Sequence, residues 1–128
     1  MNRKILITAC VFGALGVVSG AFGAHALKPL ITVSELENWK TAVGYQFYHT
    51  FALLFLSLIP GNSKSIQVSY WAFSLGIVLF SGSIYLLATR SITGISSGLL
   101  GPITPLGGLL FIIGWISLLS IALKNKNA

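Results

Sequence analysis

Ala9-Cys10-Val11-Phe12-Gly13-Ala14-Leu15-Gly16-Val17-Val18-Ser19-Gly20-Ala21-Phe22-Gly23 carries five small residues at steps of four, three, four and three: Ala9, Gly13, Gly16, Gly20 and Gly23. Steps of three and four return to one side of an α-helix, so this stretch reads as a helix with a smooth stripe. The stripe runs into Ala24-His25-Ala26-Leu27-Lys28-Pro29, where apolar sequence first meets charge. Between helices in lipid, association depends on close backbone approach, and a stripe of small residues permits it.

The composition makes that lipid setting firm. Of 128 residues, 55% are hydrophobic and 8% charged, with a mean hydropathy of +0.88. Soluble domains carry about 25% charged residues. A single integral membrane domain, residues 1–128, is expected. The formal charge of +6 would suggest nucleic acid in a soluble protein. Here the cations sit at the ends of apolar segments, which suits anionic headgroups, and no nucleic-acid partner is expected. Cys10 stands alone, which leaves no intramolecular disulfide and no cysteine metal site. Residues 5–24 span 20 positions, long enough to cross a bilayer, and are read as a retained span rather than a cleaved signal.

Four spans follow, at about residues 5–24, 40–59, 70–89 and 105–123, making an all-α membrane protein built as a four transmembrane helix bundle. Pro29 closes the first. The second helix has two overlapping capping boxes, Thr32-x-x-Glu35 and Ser34-x-x-Glu37, and stops at Pro60-Gly61-Asn62. Tyr70 and Trp71 anchor the third, and Arg90 marks its far end. The fourth is expected to start with Thr104 as N-cap and Pro105 as first helical residue. An even number of spans puts both termini on one side, with Arg3, Lys4, Lys64, Lys124 and Lys126 against Lys28, Lys40 and Arg90 opposite. The excess of cations predicts cytoplasmic termini in a bacterial inner membrane. Residues 91–103 carry no charge and are expected to lie in the interface or fold back over the bundle.

His49 is the sharpest candidate for chemistry. It lies ten residues from Trp39 and from Ile59, about 15 Å into the membrane. Ionisable groups at that depth face a bundle or a cavity. Tyr45 and Gln46 share its face and are placed to set its tautomer. A neutral histidine hydrogen-bonded between helices is the plainer reading, and a proton-accepting or ligand-binding site the sharper one. His25 sits at the opposite rim, about 10 Å or more above His49, an offset that argues against paired haem ligation. It is expected to bond Tyr45 or the first outer loop. Both acids, Glu35 and Glu37, lie outside the spans, so a carboxylate-coupled exchanger is not expected. Phe47, Phe51, Phe55 and Trp115 read as packing or lipid-facing bulk. Gly107, Gly114 and Ser117, like Ala72, Gly76 and Ser83, give two further small faces, for packing within one bundle or between protomers.

Four separated motifs carry a family resemblance: residues 20–27 (GAFGAHAL), Trp39-x-x-Ala42-Val43-x-Tyr45-Gln46-x-x-His49, Leu79-Phe80-Ser81-Gly82-Ser83-x-Tyr85, and residues 101–108 (GPITPLGG) with Gly114-Trp115. The chain resembles the small bacterial inner-membrane proteins of the YgdD-like family, related to eukaryotic transmembrane protein 256. That resemblance implies a multi-pass protein whose family has no assigned function, and it supplies no catalytic residue. It implies that His25, Gln46, His49, Ser81, Tyr85 and the turn at residues 104–108 form one site or one structural knot; with Tyr45 and Arg90 these polar side chains make the candidate cluster. The resulting expectation is a structural or accessory protein, not an enzyme, with no cofactor. Membrane lipids and a second copy of the chain are the partners considered. The competing expectation is a small oligomeric transporter or channel with a polar site around His49.

Overall fold

The computed structural model describes residues 1–124; Lys126, counted above among the cations, lies outside the described residues. Helix α1 (Arg3–Phe22) starts at Asn2, whose side chain accepts a hydrogen bond from Ile5 N–H, and continues into a π-turn, Gly23–Leu27. Helix α2 (Val33–Leu58) begins at the first of the two capping boxes. Thr32 Oγ1 accepts from Glu35 N–H at 3.1 Å while Glu35 Oε2 accepts from Thr32 N–H at 3.0 Å. Gly61, at φ 89°, then turns the chain in a conformation a side chain would resist.

Helix α3 (Lys64–Gly76) begins six residues before the expected Tyr70, because Ser63 accepts from Ile66 N–H and caps it. A π-turn (Ile77–Ser81) joins it to α4 (Gly82–Ala88). Two single-turn helices, α5 (Arg90–Thr93) and α6 (Ser97–Leu100), with no buried residue, then lead to α7 (Ile103–Lys124). Thr104 is therefore inside α7 rather than its cap. Its hydroxyl lies 2.6 Å from Ser83 Oγ on α4, so it serves contact between helices.

Three helical segments are long and apolar enough to cross a membrane: Arg3–Leu27, Lys64–Ala88 and Ser97–Lys124. Large apolar side chains such as Val11, Val17, Val78, Ile112 and Leu119 point outward, as lipid-facing surfaces do. Helix α2 differs. It is 26 residues long, but it buries Gln46, His49, Thr50 and Ser57 among its apolar residues.

Two hairpins make the bundle, α1 with α2 and α3 with α7. In the first, the glycines of α1 step along α2 in antiparallel order. A Cβ on Gly13 would lie 3.6 Å from Thr50, one on Gly16 2.9 Å from the Phe47 ring, and one on Gly20 3.7 Å from Val43. A Cβ on Gly23 would enter the Trp39 indole. Ala9 is fully buried with Ile5, Leu53 and Leu56. In the second hairpin the small residues alternate between the helices. Phe111 fills the space above Gly76, and Phe73 the space above Gly114, each 2.6 Å or less from a hypothetical Cβ. At Gly107 that Cβ would meet the backbone nitrogen of Phe80, inside the π-turn. The backbones touch there.

Candidate functional site

Helix α2 presents its polar side chains to every neighbour. Near one end Trp39 donates from Nε1 to the Ser19 carbonyl of α1 at 2.8 Å, and its ring packs 4.5 Å from that of Tyr85. One turn along, Ser81 at the end of the second π-turn donates to the Ala42 carbonyl at 2.7 Å. Gln46 then bridges three helices. Its Nε2 donates to the Phe12 carbonyl of α1 at 2.8 Å, and its Oε1 accepts from the Tyr85 hydroxyl of α4 at 2.7 Å. An amide can do this because it offers a donor and an acceptor from one planar group.

His49 lies one turn further and is 4% exposed. Its Nδ1 is 2.8 Å from the Tyr45 carbonyl, and its Nε2 is 3.1 Å from Trp115 Nε1 on α7. A carbonyl can only accept and an indole N–H can only donate. The ring is therefore the neutral tautomer, with its proton on Nδ1 and its lone pair directed at Trp115. Phe111 stacks on it, centroids 3.5 Å apart and planes within 5°. A groove of about 750 Å³, lined by Tyr45, Tyr48, Phe80, Ile112 and Trp115, opens beside it between α2 and α7. The imidazole has no hydrogen-bonding nitrogen left over for an occupant of that groove.

Of the residues grouped from sequence, Gln46 and Tyr85 bond directly, Tyr45 and His49 are joined through the Tyr45 carbonyl, and Ser81 sits beside them on Ala42. His25 and Arg90 do not join them. His25 is exposed on the first π-turn, with no side-chain hydrogen bond among the described residues, so neither Tyr45 nor the loop receives it. Arg90 opens α5 and lines a separate groove of about 710 Å³ with Thr32, Glu35, Asn38 and Ser91. Glu35 ties that groove shut on one side by accepting from Ser91 Oγ at 2.7 Å and Ser91 N–H at 3.2 Å. The Thr32 N–H and then the Ser91 hydroxyl hold its carboxyl below the ordinary value of 4.5. Glu37 pairs with Lys40 at 3.0 Å on the exposed side, an ion pair of little consequence for stability.

Trp115 is the partner that sequence reading misses, since a mid-span tryptophan looks like bulk. The signal available was its indole N–H, which needs an acceptor once buried in lipid or protein. Further hydroxyl contacts tie the remaining helices. Thr8 meets the Tyr70 hydroxyl at 3.1 Å, Ser69 donates to the Gly114 carbonyl at 3.2 Å, and Ser117 donates to the Ser65 carbonyl at 2.9 Å. Among the described residues no three His, Cys, Asp or Glu gather as metal ligands would.

Helices this apolar, joined by hydrogen bonds that close on one another, define a small multi-pass α-helical membrane protein. Residues 19–108 match a family model described as protein of unknown function (DUF423). The chain belongs to that family. It is 42% identical over 124 residues to the UPF0382 membrane protein SH2409 of Staphylococcus haemolyticus, covering 95% of this chain and 97% of that one. It is similarly 41% identical over 125 residues to the UPF0382 membrane protein YwdK of Bacillus subtilis, covering 95% and 98%. A Haemophilus influenzae UPF0382 membrane protein is 38% identical over 128 residues, at 99% of both chains. These relatives and the three spanning helices support a multi-pass protein of the bacterial inner membrane. No solved structure matches the chain.

Proposed function

We propose that the protein is a structural or accessory component of the membrane rather than an enzyme, acting through helix and lipid contacts. In this reading α2 is a fourth span, and both termini are cytoplasmic. One observation carries it: the polar atoms of Gln46 and both nitrogens of His49 are engaged by α1, α2, α4 and α7. Side chains committed in this way hold helices together, whereas a transport site keeps groups available for its cargo. The same bonds explain why α2 is the least lipid-like of the long helices. Its neighbours, not lipid, solvate its polar groups.

The fourth span is tested by single cysteines in a Cys10→Ser background. Substitutions at Asn62 and at Asn2 are expected to react with a membrane-impermeant maleimide only from the cytoplasmic side. Cysteines at Lys28 and Gly94 are expected to react only from outside. Labelling of the Lys28 and Asn62 variants from one side would overturn the fourth span. For the activity, wild-type proteoliposomes under an imposed proton or potassium gradient should leak no faster than protein-free vesicles. A flux abolished by His49→Phe with the fold retained would instead establish a small transporter or channel.

A further inference from the structure

The end of the bundle that holds the N-terminus has a built feature apart from the bonds of Gln46 and His49. Lys4 Nζ lies 4.9 Å from the centre of the Tyr70 ring and 4.8 Å from that of Trp71. Cation–π contact on two rings restrains an otherwise floppy ammonium. Beside it is a polar recess of about 270 Å³ lined in part by Asn2, Asn62 and Gln67. The other side of Trp71 borders an apolar groove of about 600 Å³ between α3 and α7, whose walls include Val68, Leu75, Leu110 and Ile113. Gln67 and Trp71 line both, and Lys64 stands at the groove's mouth.

We propose that this combined site binds an anionic phospholipid, with its phosphate near Lys4, Lys64 and Gln67 and an acyl chain along the α3–α7 groove. The proposal deepens the reading of the protein as one acting through lipid contacts. Charge complementarity favours an anionic headgroup. Arg3, Lys4, Lys64 and Lys124 all lie at this end of the bundle, whereas Glu35 and Glu37 lie at the start of α2, at the opposite end. The groove's length favours a lipid over a small solute. From Lys64 to Leu75 along α3 is about 16 Å, roughly half of the ~30 Å hydrocarbon core, which is one leaflet. Trp71 is half-exposed at the junction, where an aromatic ring meets the headgroup region. A headgroup site at such a position needs a cation, neutral donors and an apolar trough below them, and all three are present.

The test is native mass spectrometry of the purified full chain after exchange into mixed micelles holding equal phosphatidylglycerol and phosphatidylcholine. Wild type is expected to retain phosphatidylglycerol selectively. Lys4→Gln with Lys64→Gln should lower that retention by about 30-fold, the attraction of two lysines to an anionic surface. Leu75→Trp, which fills the groove and leaves every charge in place, should lower it as well. The control Lys28→Gln with Lys40→Gln removes equal charge at the opposite end and should retain lipid as wild type does. Equal retention of the two lipids by wild type, or equal loss in the control, would overturn the site. So would displacement of the lipid by millimolar inorganic phosphate, which would mean that an ion alone is recognised. Gradient-driven flux in proteoliposomes would overturn the structural reading while leaving lipid retention unchanged, so the two failures are distinguishable.

Discussion

The two hairpins use glycine in opposite ways. In α1–α2 every glycine that meets the other helix sits on α1 or its π-turn, and the larger partners, Thr50, Phe47, Val43 and Trp39, sit on α2. In α3–α7 each helix supplies both halves, with Phe73 against Gly114, Phe111 against Gly76 and Phe80 against Gly107. Along a one-sided stripe, from Gly13 to Gly23, α1 offers α2 a smooth face, so packing there fixes the register less firmly. The reciprocal arrangement resists sliding in both directions. The first hairpin makes up for this with directional bonds from Trp39 and Gln46 to α1 carbonyls. Serine bonds cross α3–α7 as well, from Ser69 to Gly114 and from Ser117 to Ser65, so the difference between the hairpins lies in their packing.

Gly107→Ala should be the most damaging single change. Its methyl would meet the backbone of Phe80, which no rotamer change can relieve, and a loss of about 3 kcal/mol is expected. Gly76→Ala and Gly114→Ala should each cost about 1–3 kcal/mol, since the methyl first meets a buried Phe ring rather than backbone. Reversible unfolding in mixed detergent measures these. Removing the ring in Gly76→Ala/Phe111→Ala should cost less than the two single changes added together. Simple additivity would mean that the ring and the glycine do not share one space.

In the other hairpin, Gly23→Ala should cost about 1–2 kcal/mol, because Trp39 is held by its bond to Ser19 and cannot swing aside. Gln46→Leu should cost about 1 kcal/mol, near the usual worth of hydrogen bonds between membrane helices. Gly13→Ala and Gly20→Ala should be neutral or stabilising by up to about 1 kcal/mol. A methyl there makes ordinary contact, and alanine favours helix over glycine. If both proved as harmful as Gly76→Ala, the contrast between the hairpins would fail.

The smallest expected effect is pH-dependent and sits at the loop over α2. Glu35 is held in its charged form, so it adds stability above its ordinary value of 4.5 and loses that contribution as pH falls through its lower folded value. The stability difference between wild type and Glu35→Gln should therefore shrink on acidification below about pH 4.5. A difference that stays constant from pH 7 to pH 3 would mean that the Thr32 and Ser91 contacts do not depend on the charge.

What could be read from sequence follows the same division. The α1 stripe is visible because its members are neighbours in one helix, so its spacing alone identifies a face. The α3–α7 glycines are legible only as small faces, because the phenylalanines that fill them lie on the other helix of the pair. The Thr32–Glu35 box was legible because a capping box is local. The His49–Trp115 bond joins residues 66 positions apart, and no local pattern announces it. Gln46 and Tyr85 could be grouped with His49 by motif, but motif also drew in His25, and a charge at a span's end drew in Arg90; neither joins them in the fold. The two π-turns had no local signature either, although Gly107 against Phe80 depends on one of them.

The polar atoms of Gln46 and His49 are taken up by neighbouring helix groups, and this engagement holds the middle of the bundle. It is tested most directly by nitrogen-15 NMR of the His49 side chain in lipid nanodiscs. A single neutral tautomer is expected, protonated at Nδ1 with Nε2 accepting from Trp115, and its ring proton should exchange slowly with water. The opposite tautomer, or rapid exchange with water, would contradict it.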